Sequence, residues 1–406
     1  MTSRRYKPTA TNTAATKTLP QAPVLPAILP ARPVMIPITA MVIIMPSENN
    51  NEIRKAFFTV VLSPWLPTKP TISGMLERWH GLNSMLKILN DVKFQGEIII
   101  PSDNLLKIET PISYKVTDIK KFDLYNIVLS IKSSDLVIFG GGNLFQTETS
   151  LKSFLYYYYI AKKAIKYKKP LFLISQGFGP IKNKFANKLL KSLLKTENAQ
   201  IYGFYRDEAS FRYARRYCKS SFNIVDIAPY AISDIGLRAQ TTDITSICIK
   251  KDYDDFMPLY EFLEIDNRNI NTLAINSNQD SEISFKFVDY LRSVSDWSVP
   301  FPTGDNKKIQ STLINSKLVI SDRLHSAVVP MYFGVPVLVS ASAKNRRVVK
   351  NICPEYDYFY KKLSDIPGAY AYMKALNYDP QKTAAVYRKK LSEAVQTIEQ
   401  NLRTFL

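Results

Sequence analysis

Cysteine, histidine and acidic residues are scarce in this chain of 406 residues, and each scarcity excludes something. Cys218, Cys248 and Cys353 stand far apart with no Cys-x-x-Cys pair, so neither a disulfide framework nor a zinc site is suggested. There is no Asn-x-Ser/Thr sequon, and both features lean towards a reducing cytoplasm. No apolar run reaches the roughly 20 residues needed to span a bilayer. Residues 34–45 come nearest, but Pro37 interrupts them, and they lie too far from the amino terminus, without a clean cleavage site, for a signal peptide. Histidine occurs only at His80 and His325, and no HExxH or compact Asp/His cluster argues for a metal. Acidic residues number 35 against 54 lysines and arginines, a formal charge of +19. That balance permits nucleic acid, an anionic membrane surface or a polyanionic substrate as partner. Against nucleic acid, the basic residues fall in no recognised module and are not interleaved with aromatics as in an RNP motif.

The residues that are present divide the chain. Residues 1–33 are rich in Thr, Ala and Pro, a composition that cannot bury enough surface to fold alone, so 1–50 reads as a disordered leader. From residue 51, strand-like and helix-like patterns alternate. Strands are expected at 57–63, 97–101, 135–139, 171–175 and 200–205, then at 244–250, 271–276, 297–301 and 318–320. Helical spacing separates them, with Phe185, Leu189 and Leu193 at i, i+4 and i+8 as one example. This order predicts an α/β protein with two doubly wound, Rossmann-like domains at 51–235 and 236–378, and a long polar helix at 379–406 that packs back across the first domain.

Ligands of open α/β sheets bind beyond the carboxyl ends of the strands, so the loops there carry the chemistry. After the strand at 318–320 come Ser321-Asp322-Arg323-Leu324-His325. Arg323 offers a planar fork of donors for carboxylate or phosphate, and His325 can move a proton near neutral pH. The alternative is structural, with Asp322 capping the next helix, Arg323 paired to it and His325 packed. Gly140-Gly141-Gly142 follows another strand and lets the backbone approach a ligand or turn sharply into Asn143; it matches neither a Walker loop nor GxGxxG. Gln176-Gly177-Phe178-Gly179-Pro180 occupies an equivalent strand end, where Gln176 either bonds a sugar hydroxyl or holds the loop. Arg206 leaves a third strand beside Asp207, its nearest candidate salt-bridge partner. Lys344 begins the basic run Lys344, Arg346, Arg347 and Lys350.

Taken in order, Gly-Gly-Gly-Asn-Leu at 140–144, a Ser- and Tyr-rich helix, Gln-Gly-Phe-Gly-Pro at 176–180, Tyr-Arg-Asp-Glu-Ala-Ser at 205–210, Arg-Leu-His at 323–325 and Gly-Val-Pro at 334–336 resemble the polysaccharide pyruvyl transferase family over roughly 130–352. The resemblance implies a two-domain fold like that of GT-B glycosyltransferases. It also implies transfer of pyruvate from phosphoenolpyruvate to two hydroxyls of a sugar in a polysaccharide or surface glycan, forming a ketal and releasing phosphate. By the same resemblance, Arg206, Arg323, His325 and Lys344 match the family's site positions, with Arg346 as the alternative to Lys344. Gly141, Gly142, Asn143, Gln176, Gly177 and Leu324 join the substrate-binding set. Where many members carry Asn-x-Gly-Asp after their first strand, Ser63-Pro64-Trp65-Leu66-Pro67 stands here, which bears on acceptor recognition.

On their own terms these residues suit that chemistry. Phosphoenolpyruvate carries a carboxylate and a phosphate, so Arg206, Arg323 and Lys344 would supply fixed cations, and His325 the proton for the methylene carbon. The scheme needs no metal and no cofactor beyond the donor substrate. The expected partners are phosphoenolpyruvate and a glycan or lipid-linked saccharide, with a peripheral membrane surface as a further one and the cytoplasm as location. Residues 149–196 hold eleven lysines and no acid, which suits an anionic surface or an ordinary solvated helix face. Of Tyr156, Tyr157, Tyr158 and Tyr159, at least two are expected in the core, and His80 reads as structural. Two rivals are a GT-B glycosyltransferase using a nucleotide sugar and a non-catalytic glycan-binding protein.

Overall fold

Along the central strands, successive side chains enter two different cores, which is what a parallel strand covered on both faces requires. A computed structural model of the chain describes residues 41–44, 56–58, 76–102, 114–148, 150–235 and 242–406. Its first half runs β1 (Met41–Ile44), β2 (Ala56–Phe58), α1 (Leu76–Asp91), β3 (Gly96–Pro101), β4 (Lys115–Ile119), α2 (Leu124–Ser133) and β5 (Leu136–Phe139). It continues through α3 (Leu151–Lys166), β6 (Leu171–Gln176), α4 (Lys184–Leu194), β7 (Ile201–Tyr205), α5 (Glu208–Arg215) and β8 (Ser221–Asn223). In β5, Leu136 and Ile138 join the core shared with α1, while Val137 and Phe139 join the core under α2, α3 and α4.

After a 3-10 turn at Ala228–Ile232, the second half runs β9 (Thr245–Cys248), α6 (Met257–Asp266), β10 (Ile270–Thr272), α7 (Ser277–Val294), α8 (Asn306–Asn315) and β11 (Leu318–Ser321). It ends with α9 (His325–Tyr332), β12 (Val337–Ser340), α10 (Ala343–Ile352), β13 (Phe359–Tyr360), α11 (Ile366–Ala375) and α12 (Pro380–Leu402). These strands form a parallel sheet in the order β10-β9-β11-β12-β13. Helix starts follow local chemistry: Asp123, Ser150, Asn183, Asp207, Asp305, Ser342 and Asp379 each accept hydrogen bonds from first-turn N–H groups.

The first sheet departs from a purely parallel one. β1 lies antiparallel between β3 and β5, pairing Ile43 with Ile99 and Val137. Residues 41–44 pair within the sheet; the apolar sequence Met-Val-Ile-Ile suits a central strand better than solvent. The rest of the expected leader and the Ser63 to Pro67 segment lie outside the described residues. The strand expected at 297–301 is absent, and only an isolated bridge joins Leu273 to Thr303 nearby. Pro300 and Pro302 remove ladder donors there. Conversely β4, β8 and β13 were not evident from the sequence: β4 exposes Lys115 and Asp118, and the other two are three and two residues long.

α12 ties the two sheets together. It packs on α9 and α10 of the second half and on α1 of the first, and beyond its end the Phe405 ring meets Phe172 and Tyr202 of the first sheet. Arg388 donates to the Tyr332 carbonyl at 3.0 Å.

Candidate active site

The two Gly-rich loops interlock. Gly142, with φ of +112°, donates to the Ser175 carbonyl at 3.2 Å and accepts from the Gly177 N–H at 2.8 Å. Ser175 itself sits in the left-handed region, φ +53°, where the β6–β7 register shifts; a bulge of this kind re-aims the next side chain. That side chain is Gln176, fully buried, whose amide donates to the Gly140 carbonyl at 2.7 Å. Its nitrogen thus holds the loop, while Oε1 is buried without a hydrogen-bond partner. Asn143 fastens the second loop by donating to Gly179 at 2.8 Å, and its Oδ1 accepts from Arg206 Nη2 at 3.1 Å. A Cβ on Gly177 would collide with that Oδ1. Gly141 adds no comparable constraint, since a Cβ there would meet Ser175 only at ordinary contact distance.

Arg206 is almost wholly buried, and the carboxylate it meets is Asp226, at 2.6 Å, rather than the adjacent Asp207. Asp207 caps α5 and accepts from Ser210 instead. The same Asp226 oxygen lies 3.7 Å from His325 Nε2, so one buried carboxylate from the segment after β8 faces an arginine of the first half and a histidine of the second. Burial raises the Asp226 pKa, but Arg206 and His325 outweigh it and hold the carboxyl far below the usual carboxylate range. The Tyr387 hydroxyl of α12 donates to the Asp226 backbone carbonyl at 2.8 Å. On the other side of His325, Nδ1 makes no hydrogen bond, and the His80 ring stands edge-on with centroids 6.2 Å apart.

Arg323 belongs to a second buried pair. Its Nε donates to both Asp280 oxygens at 3.1 Å, Nη2 is in contact with the same carboxylate, and Nη2 also reaches Gln279 at 2.8 Å. The alternative pairing of Arg323 with Asp322 is not formed, since Arg323 pairs with Asp280. Asp322 instead accepts from the N–H groups of Lys250 and Lys251 and from the hydroxyls of Tyr253 and Tyr360, at 2.9 and 3.2 Å to Oδ1. Leu324 is buried in the core between these neighbours. Lys344 sits half-buried in the first turn of α10. One turn on, Arg347 reaches the Phe178 carbonyl at 3.4 Å and lies 3.8 Å from Asp207, while Arg346 stacks on the Phe359 ring at 4.5 Å.

Hydrogen bonds and ion pairs thus join Gly142, Asn143, Gln176, Gly177, Arg206 and, through Asp226, His325. Sequence reasoning missed Asp226, Asp280 and the proximity of His80. The available signal for Asp226 was a lone acid in the apolar run Ile224-Val225-Asp226-Ile227-Ala228, since a charge is buried only when paired. Among the described residues, no group of three or more His, Cys, Asp and Glu side chains gathers as metal ligands, and no helix is long and apolar enough to cross a membrane.

Comparison with known structures places the fold. The chain is similar to a crystal structure described as a putative UDP-N-acetylglucosamine 2-epimerase from Listeria monocytogenes, with TM-score 0.51 and 10% identity over 78% of this chain and 89% of that one. It is similar also to the UDP-GlcNAc 2-epimerase from Neisseria meningitidis bound to UDP-GlcNAc, with TM-score 0.52 and 13% identity over 81% and 97% of the two chains. At such identities the likeness is one of fold, of the GT-B kind. No curated protein sequence matches. The family model described as polysaccharide pyruvyl transferase matches residues 82–343, a span that contains both interlocked loops, the two buried arginine–carboxylate pairs and His325. The chain belongs to the polysaccharide pyruvyl transferase family.

Proposed function

We propose that the chain transfers the pyruvyl group of phosphoenolpyruvate to two hydroxyls of one sugar in a glycan or lipid-linked saccharide, forming a ketal and releasing phosphate. The observation that carries this reading is the His325–Asp226–Arg206 cluster, in which His325 Nε2 and Arg206 Nη1 face one carboxylate oxygen at 3.7 and 2.6 Å. A carboxylate beside that nitrogen orients the ring, as a positioned proton donor to carbon requires. Nδ1 is buried and makes no hydrogen bond, and in this reading it carries the proton that goes to the substrate.

In the proposed sequence a sugar oxygen attacks C2 of phosphoenolpyruvate while His325 delivers a proton to the methylene carbon, which becomes the methyl group. The first hydroxyl gives up its proton, restoring the histidine. The C2–O bond to phosphate then breaks, the second hydroxyl closes the ketal, and its proton leaves with phosphate. Arg206 and Arg323 act as oriented donors rather than bare cations, because each arrives already paired with a buried carboxylate. Arg206 Nε makes no hydrogen bond and is buried, so substrate binding would have to uncover it for it to donate to the anion. Lys344 adds positive charge from the start of α10, and Gln176 Oε1 offers an acceptor to a hydroxyl. No metal or cofactor enters this scheme.

The test is phosphate release from phosphoenolpyruvate with a panel of glycosides. His325→Gln should lower acceptor-dependent release by roughly a hundredfold or more if His325 transfers the proton; near-normal turnover would overturn that assignment. The fold likeness to nucleotide-sugar enzymes supports the rival glycosyltransferase, and thermal-shift titration separates the two. Stabilisation by a nucleotide sugar and none by phosphoenolpyruvate would move the reading to that rival.

A further inference from the structure

The layer α2–α3–α4 covers one face of the first sheet, with its inner residues in a single core, and its outer face carries lysines together with large apolar side chains. Along α3, the positions Lys152, Leu155, Tyr159, Lys162 and Lys166 recur at spacings of three and four and so share one side of the helix. Leu155 and Tyr159 stand exposed at the centre of that stripe, with Lys152 and Lys166 exposed at its ends. The Lys163 ammonium lies 5.0 Å over the Tyr159 ring. α4 carries exposed Lys184, Phe185 and Lys188, with exposed Lys195 just past its end, and Phe185 is 56% accessible. On α2 and the turn before it, Phe122, Tyr125 and Leu129 project outwards, with Tyr125 at 73%. Two independent features coincide here. From 149 to 196 there are eleven lysines and no acid, and the same helices expose large apolar side chains that burial would ordinarily claim.

We propose that this face docks on an anionic lipid bilayer, with Tyr125, Leu129, Leu155, Tyr159 and Phe185 entering the interfacial region and the lysines meeting headgroup phosphates. Lysines alone would suit any polyanion; protruding Tyr, Phe and Leu side chains gain from lipid what a nucleic acid's phosphates do not offer. A lysine near an anionic leaflet contributes about a fivefold gain in partitioning, so the stripe suffices without a spanning helix. The loops of the candidate site, 140–148 and 176–183, precede α3 and α4, which would set the candidate site beside lipid-linked material.

The test uses the full chain and vesicle flotation, and it does not depend on the transferase reading. Vesicles of phosphatidylcholine with about a third phosphatidylglycerol should retain the protein at low salt, neutral vesicles should not, and high salt should release it at least tenfold. Lys152→Glu/Lys166→Glu/Lys188→Glu and, separately, Tyr125→Ser/Leu155→Ser/Tyr159→Ser/Phe185→Ser should each weaken retention at least tenfold. Both sets are at exposed positions, and thermal unfolding checks that they fold. A control, Lys374→Glu/Lys382→Glu, alters exposed lysines elsewhere and should retain normal binding. Absence of binding to anionic vesicles overturns the proposal. So does loss with the lysine set alone accompanied by equal binding to RNA, which would mark a polyanion surface, and so does equal loss in the control.

Discussion

Burial by itself would lift the Asp226 carboxyl, yet the Arg206 guanidinium at 2.6 Å and His325 at 3.7 Å hold it far below its ordinary value. Because the folded-state pKa lies below the unfolded one, near 4, the stability this group contributes is fully present above that pH. It is lost as pH falls through the folded value. Asp226→Asn should therefore weaken the acid limb of a stability–pH profile measured by urea unfolding. At neutral pH it should cost about 3–5 kcal/mol, because Arg206 is left buried without its counter-charge. The double change Arg206→Met/Asp226→Leu should recover much of that stability while leaving activity lost. A single Asp226→Asn variant with unaltered stability at pH 7 would show that the pair is not the buried unit described.

At the scale of the element, α12 is fastened at several points rather than merely laid down. Near its start, Gln381 donates to the Gly334 carbonyl at 3.3 Å, and the Gln381 side chain fills the space that a Cβ on Gly334 would take. Gly334 has φ of +75°, which an L-residue adopts at a cost of about 1–2 kcal/mol. Gly334→Ala is expected to lower unfolding free energy by roughly that amount, with most of the loss persisting in Gly334→Ala/Gln381→Ala, because the strain is in the backbone. Full recovery in the double variant would instead locate the cost in the side-chain collision.

For the whole molecule, the larger core runs without a break from α1 and the first sheet through the second sheet to α12, where Tyr387, Leu391, Ile398 and Leu402 are buried. Burying each such leucine or isoleucine contributes about 1.5–3 kcal/mol. Removing residues 380–406 would expose this seam and free the Asp226 carbonyl from Tyr387. The truncated chain should be insoluble or lack a cooperative transition by calorimetry; a cooperative transition close to that of the full chain would show that α12 is dispensable to the fold.

What the sequence determined by itself is what short-range pattern encodes. Four buried apolar residues in Leu136–Phe139, the spacing of Phe185, Leu189 and Leu193 and the Gly-rich turns at strand ends all act within a few residues, so β5, α3, α4 and the loops of the site were legible in order. The motif series from Gly140 to Pro336 sufficed to point to the family. Edge strands such as β4 and β8 were not legible, because half-exposed or three-residue strands carry no distinguishing period. Nor was the strand Met41–Ile44, whose place depends on neighbours that arrive fifty and more residues later. The tertiary structure alone decided the electrostatics of the site. Arg206 chose Asp226 over its neighbour Asp207, and Arg323 chose Asp280 over Asp322, because a buried guanidinium is satisfied by the carboxylate that folding brings into line with it. Separation along the chain does not record that choice.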